Sequence, residues 1–213
     1  MPTSPSVLLR LIFLCGLAAT FTGLAAEEPP RVGFVDKVEN EAHIVSANAA
    51  ATATIGTAVH MRDELRTGPE GRLQVTFRDN SVLTLGQMAS VVIDRYVYDP
   101  DEKIGETVLA VSKGAFRFAS GRIKGLKQHT ISVATPVAAI GVRGTEFWGG
   151  PIDQIYGVLL LEGEVTVSNR AGSVTLSARG QGTDIPSASE APGPVRAWSD
   201  AKIARAVASV ALH

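Results

Sequence analysis

Alternation of apolar and polar residues, interrupted at short intervals by Gly, Asn or Asp, governs the chain from Arg31 to Ile185. A period of two puts every second side chain on one face, which suits a half-buried strand and not a helix. In Arg72–Arg78, Leu73, Val75 and Phe77 point one way, while Arg72, Gln74, Thr76 and Arg78 point the other. Asp79-Asn80-Ser81 then supplies a turn, because Asn and Asp tolerate positive φ and bond their own backbone. Val82–Leu85 returns as a strand, Gly86–Ser90 turns again, and Val91–Tyr98 is the next strand. No comparably long helical stripe falls between Arg31 and Ile185, so the expected class is all-β.

A weak repeat refines that expectation. Glu70-Gly71-Arg72-Leu73-Gln74-Val75, Lys113-Gly114-Ala115-Phe116-Arg117-Phe118 and Glu162-Gly163-Glu164-Val165-Thr166-Val167 share a charge, a Gly and then alternate apolar positions. Their glycines lie 43 and 49 residues apart. Recurrence at that interval predicts a solenoid-like stack of sheet layers, a β-roll. The alternative is that any sheet protein accumulates such pieces by chance. Ser46–Ile55, rich in Ala and Thr without alternation, reads as a mobile loop. Residues 186–198, with three prolines between Pro186 and Pro194, read as a linker. Residues 199–213 read as a helix capped by Ser199 or Asp200, with Ile203, Val207, Val210 and Ala211 on one side. That stripe either docks back on the β domain or meets a partner.

The amino terminus reads as an export signal over residues 1–25. A polar start ends in Arg10, an apolar stretch runs from Leu11 to Leu24, and Ala25 and Ala26 offer small residues for cleavage. The apolar stretch is 14 residues, short of the roughly 18 that a spanning helix needs; retention as an anchor is the alternative. Leu14 before Cys15 does not suit a lipoprotein signal, and loss of Cys15 on cleavage leaves no thiol for a disulfide or a metal. The expected location is periplasmic or secreted, with no membrane span after cleavage. A formal charge of −1 over 213 residues argues against a nucleic-acid binder, which usually carries a basic stripe.

Ala134-Thr135-Pro136-Val137-Ala138-Ala139-Ile140-Gly141-Val142-Arg143-Gly144-Thr145-Glu146-Phe147 resembles the signature of the FecR domain family. Arg66-Thr67-Gly68, Phe77-Arg78-Asp79-Asn80-Ser81, Lys113-Gly114-Ala115-Phe116-Arg117 and Leu161-Glu162-Gly163-Glu164-Val165 extend the resemblance over roughly Val32 to Ile185. It implies an exported, all-β, solenoid-like domain over residues 31–185 with a non-enzymatic role. Signalling members of the family have a cytoplasmic sigma-regulator region and then a transmembrane helix. Here an export signal at the first residue implies no cytosolic portion, so relay through the membrane by this chain alone is not expected.

The signature has physical content of its own. Pro136 lacks a ladder donor and forces Thr135 to be extended, which places the pair at a strand start or edge. Gly141 and Gly144 bracket Val142-Arg143 and permit a tight bend with positive φ. Arg143 is then either a strut folded inward onto carbonyls or a carboxylate such as Glu146 or Asp79, or an exposed contact for an anion or partner. Thr145 completes the bend. Phe147 reads as core, and Trp148 is left open between packing and gripping a sugar ring or protein edge.

Signals for chemistry are sparse. His43, His60, His129 and His213 are far apart and lack metal-ligand spacing; no Gly-x-Ser-x-Gly or phosphate-cradling glycine loop occurs. Asp99-Pro100-Asp101-Glu102 reads as a solvated acidic turn rather than a calcium site. No cofactor or metal is expected. The reading is a binding or scaffolding module in the cell envelope, with a protein or polysaccharide partner. The alternatives are an accessory sensor touching an outer-membrane receptor or a separate membrane regulator, and a carbohydrate-active β-solenoid enzyme, for which no carboxylate pair can be located.

Overall fold

The computed structural model describes residues 29–47 and 49–213; the export signal expected over residues 1–25 lies outside the described residues. The strands are, in order, β1 (Arg31–Glu39), β2 (Ala42–Ser46), β3 (Ala49–Thr52), β4 (Ala58–His60), β5 (Glu64–Thr67), β6 (Arg72–Phe77), β7 (Val82–Leu85) and β8 (Ser90–Asp99). After them come β9 (Ile104–Lys113), β10 (Phe116–Ala119), a 3-10 turn at Arg122–Gly125, β11 (Gln128–Ala134), β12 (Ala139–Ile152) and β13 (Ile155–Asn169). The chain ends with β14 (Gly172–Leu176), β15 (Gln181–Ile185), β16 (Arg196–Ala197) and α1 (Asp200–Ala208). β6 shows the alternation in its burial: Leu73, Val75 and Phe77 are buried, and their neighbours are half exposed. Asn80 turns with φ 65°, as an Asn in a tight connection does.

All strands join one sheet, ordered β3-β2-β5-β8-β9-β11-β12-β10-β7-β6-β1-β4, with β13 on the far edge of β12 and β14, β15 and β16 beyond it. The two ends of that order, β3 and β4, are joined by residues 53–57 alone. At about 3.5 Å per residue, so short a link holds the ends close. Ala53 N–H bonds Ala42 on one side, and Gly56 N–H bonds Val35 on the other, at 2.8 Å each. The sheet is therefore a curled half-barrel around a core of Val35, Leu65, Val75, Phe77, Leu109, Phe116, Ile140 and their neighbours.

This corrects the solenoid expectation. A solenoid stacks successive coils in parallel, whereas the pairings here are antiparallel except β9 with β11. The repeated glycines are not equivalent: Gly71 precedes β6, Gly114 turns β9 into β10, and Gly163 lies inside β13. Only Gly114 and Gly163 take left-handed φ, at 81° and 82°. Within Ser46–Ile55, expected as a loop, Ser46 ends β2 and Ala49–Thr52 form β3, which pairs with β2 from His43↔Thr52 to Ser46↔Ala49. All four β3 residues are exposed, so with no buried face there is no alternation to read.

A second apolar cluster lies outside the barrel. Trp148, Ile152 and Leu159 face Trp198, Ala206 and Val210, which α1 and its lead-in bring over. Ser199 caps α1, its hydroxyl accepting Lys202 N–H at 3.3 Å. Lys202 reaches Asp184 at 2.9 Å and lies 4.2 Å from the Trp198 ring centre, while Arg205 bonds Asp153 at 2.7 Å. The apolar stripe thus docks back onto the β domain. The segment ahead of it is fastened rather than loose: Asn169 donates to the Glu190 carbonyl at 2.6 Å, Gly193 N–H bonds Asp184, and β16 pairs with β15.

Candidate functional site

The signature segment forms the corner of the sheet. The first part of β12 pairs with β11, from Ile131↔Val142 to Ala134↔Ala139. Its later part pairs instead with β10, from Phe116↔Gly149 to Ala119↔Glu146. Between these partners the register against β13 slips from Arg143↔Glu164 to Glu146↔Glu162. A bulge bends a strand and lets it change partner. Gly144 takes φ 58° there, a conformation for which glycine carries no Cβ penalty.

A bulge leaves backbone groups without ladder partners, and Thr145 replaces them. Its hydroxyl lies 2.7 Å from the carbonyls of both Arg143 and Glu164 and accepts Glu164 N–H at 3.1 Å. Ser120 closes the other side, its N–H and hydroxyl both donating to the Thr145 carbonyl, at 2.9 and 3.0 Å. Gly163 sits beneath: a Cβ there would stand 2.5 Å from the Gly144 carbonyl and 2.8 Å from the Thr145 hydroxyl.

The 3-10 turn that fills the corner is held by Asp79, which is fully buried. Its carboxylate accepts Ile123 N–H at 3.3 Å, the Tyr96 hydroxyl at 3.0 Å, and the N–H and hydroxyl of Ser81. The Asp79 carbonyl accepts Arg122 N–H at 2.7 Å, and Ser81 accepts Gly121 N–H at 2.8 Å. Burial, then the neighbouring Asp79 charge, pushes the Tyr96 phenol far above its ordinary value. Asp79 and Tyr96 as organisers were not apparent from sequence beyond Asp79's place in the Phe-Arg-Asp-Asn-Ser piece.

Several expectations for individual residues change. Arg143 is no strut: its side chain is 85% exposed, and its ion-pair contact is Glu164 at 3.8 Å. Asp79 is occupied by other donors, and Glu146 pairs with Arg117. Gly141 is not in a bend; it lies in extended β12 between Ser132 and Thr166, with its face open. Pro136 and Val137 form the tip of the β11–β12 hairpin, closed by the Thr135 hydroxyl, which donates to the Ala138 carbonyl at 2.7 Å and accepts Ala138 N–H at 3.0 Å. Trp148 is fully buried in the second cluster, its indole N–H donating to Ser209 at 3.0 Å. Phe147 packs edge-on against Phe116 in the main core, as alternation requires.

Over the corner lies an open groove of about 760 Å3, lined by Lys124, His129, Thr130, Gly141, Arg143 and Thr166 among others. His129 donates from Nδ1 to the Leu126 carbonyl at 2.8 Å, since a carbonyl only accepts. The acidic turn is self-contained: Asp99 caps the N–H groups of Asp101 and Glu102 at 3.0 Å each. Among the described residues no three His, Cys, Asp or Glu side chains gather as a metal cluster, and no helix is long and apolar enough to cross a membrane.

The class these features define is a curled antiparallel β domain built around one bulged corner. Residues 63–166 match the family described as FecR protein. The match is narrower than the stretch from Val32 to Ile185 over which the motifs extend. Two crystal structures of a candidate anti-sigma factor from Parabacteroides distasonis ATCC 8503, at 1.65 and 2.50 Å resolution, share the fold. They are 18% and 17% identical to this chain, with TM-scores of 0.50 and 0.51. Each comparison covers 66% of this chain and 62% of the other, so the chain spans under two thirds of those proteins. No curated protein matches.

Proposed function

We propose that this chain is a non-enzymatic sensor module of the cell envelope, working outside the cytoplasm in a signalling system and contacting an outer-membrane receptor or a separate membrane regulator. The match of residues 63–166 to the FecR family carries the reading, supported by a fold in common with a candidate anti-sigma factor. Scaffolding alone accounts less well for that pairing of domain and fold. The sequence of residues 1–25 supports export. A corner braced by Thr145, Ser120 and Asp79, whose lining side chains reach solvent, suits recognition by a rigid surface rather than catalysis.

The test is transcript profiling of a deletion strain. A discrete sigma-factor-dependent set should lose its response, and the wild-type gene should restore it. Unchanged transcription together with an envelope defect would favour the scaffold instead. Glycan cleavage by the purified protein, or an unprocessed precursor held in the cytoplasm, would overturn the proposal.

A further inference from the structure

We propose that the groove over the β12 corner is a docking site for an acidic, extended peptide segment of a protein partner, held by Arg143 and Lys124. This rests on the reading above, in which the domain contacts an envelope protein, and names the chemistry of that contact.

Three observations carry it. The first is unspent charge. Arg143 has only a long contact to Glu164, and Lys124 forms no ion pair among the described residues. Its stem passes over Gly144, with Cβ and Cδ each 3.9 Å from where a Cβ of that residue would stand. Both cations therefore flank one groove, and the arginine's planar fork suits bidentate binding of a carboxylate. The second is the floor. Gly141 is extended and exposed, its nearest neighbour across the empty Cβ position is the Thr166 carbonyl at 3.9 Å, and Thr130 and Thr166 add only short hydroxyl side chains. A backbone can lie flat on such a surface while its acidic side chains reach the rim.

The third distinguishes a peptide from a polysaccharide. Sugar rings are usually gripped on exposed Trp or Tyr faces, and no such ring lines this groove. Trp148, the best sequence candidate for that role, is sealed beneath α1. At about 760 Å3 the groove also exceeds what a single small anion would fill.

Titration of the purified exported chain with a hexaglutamate peptide, followed by backbone NMR shifts, tests the assignment. Shifts should centre on Lys124, Gly141, Arg143 and Thr166 and fade with salt. The double variant Lys124→Ala with Arg143→Ala should bind roughly tenfold more weakly, whereas Arg205→Ala, whose partner Asp153 lies beyond the opposite end of β12 from the groove, should bind as the wild type does. Glu164→Gln, which releases Arg143 from its long ion pair, should bind more tightly. All three charges are surface groups, so unchanged circular dichroism is expected and separates lost contact from lost fold. Absence of binding at low salt, binding indifferent to positions 124 and 143, or preference for polygalacturonate at equal carboxylate concentration would each overturn the groove assignment. Those results would leave the sensor reading standing, whereas unaltered transcription in the deletion strain would remove the sensor reading and leave peptide binding intact.

Discussion

The Thr145 hydroxyl bonds both backbone groups of Glu164, accepting its N–H at 3.1 Å and lying 2.7 Å from its carbonyl. One side chain thereby replaces the ladder bonds that β12 gives up where it changes partner. Thr145 is 3% exposed, so water cannot take its place. Thr145→Val, of nearly the same shape, should cost about 1–3 kcal/mol by leaving buried groups unpaired, and Thr145→Ser should recover most of it. Urea unfolding of the two variants measures the difference.

Gly163 and Gly141 should respond in opposite ways to the same added methyl group. At Gly163 the backbone φ is 82° and a Cβ would press on Gly144 and Thr145; at Gly141 the backbone is extended and the nearest atom is 3.9 Å away. Gly163→Ala should therefore destabilise by more than about 1 kcal/mol. Gly141→Ala should lie within about 0.5 kcal/mol of wild type. Thermal unfolding of both tells whether close approach or mere strand membership explains these glycines.

Burial of Trp148 against Trp198, with ring centres 6.2 Å apart, makes the second cluster a structural unit. Trp148→Ala should cost about 3–5 kcal/mol. Ser209→Ala, which removes the partner of the buried indole N–H together with the hydroxyl's bond to the Ala206 carbonyl, should cost about 1–3 kcal/mol. Denaturant midpoints of the two variants give the ratio; equal midpoints to wild type would mean that α1 is not held by this face.

Alkaline and acidic limbs of the stability profile should trace to different residues. Burial raises the Tyr96 phenol above its ordinary value of 10.0, so the unfolded chain ionises first. The stability it confers is complete below pH 10 and falls as pH rises beyond it. Tyr96→Phe should lower stability at neutral pH and flatten that alkaline fall. Glu64 behaves oppositely: its bond to Arg66 lowers its carboxyl below the usual value, so its contribution holds above the ordinary glutamate range and is lost as pH falls through the depressed value. Glu64→Gln should remove that part of the acidic slope in pH-dependent thermal melts.

Much of the β domain was legible because alternation reports burial one residue at a time. Leu73, Val75 and Phe77 announced β6, and Phe147 announced its own place in the core. β3 was not legible, since Ala49–Thr52 bury nothing and are strand only through bonds to β2. The helix was legible from Ser199 and the apolar stripe, but Trp148 beneath it was not, because both faces of β12 are covered there and alternation cannot say by what.

Local chemistry in the chain determined the strands, the turns at Asn80 and Gly114, the cap at Ser199 and the signature that resembles the FecR family's. Tertiary structure alone decided that these strands curl into a half-barrel instead of stacking, that Arg143 faces solvent, and that Thr145, Gly163 and Asp79 meet at one corner. The reason is separation along the chain: residues 79, 145 and 163 become neighbours only through pairings of β7, β10, β12 and β13. Short-range alternation specifies which face of a strand is buried, but it carries no information about which strand lies beside it.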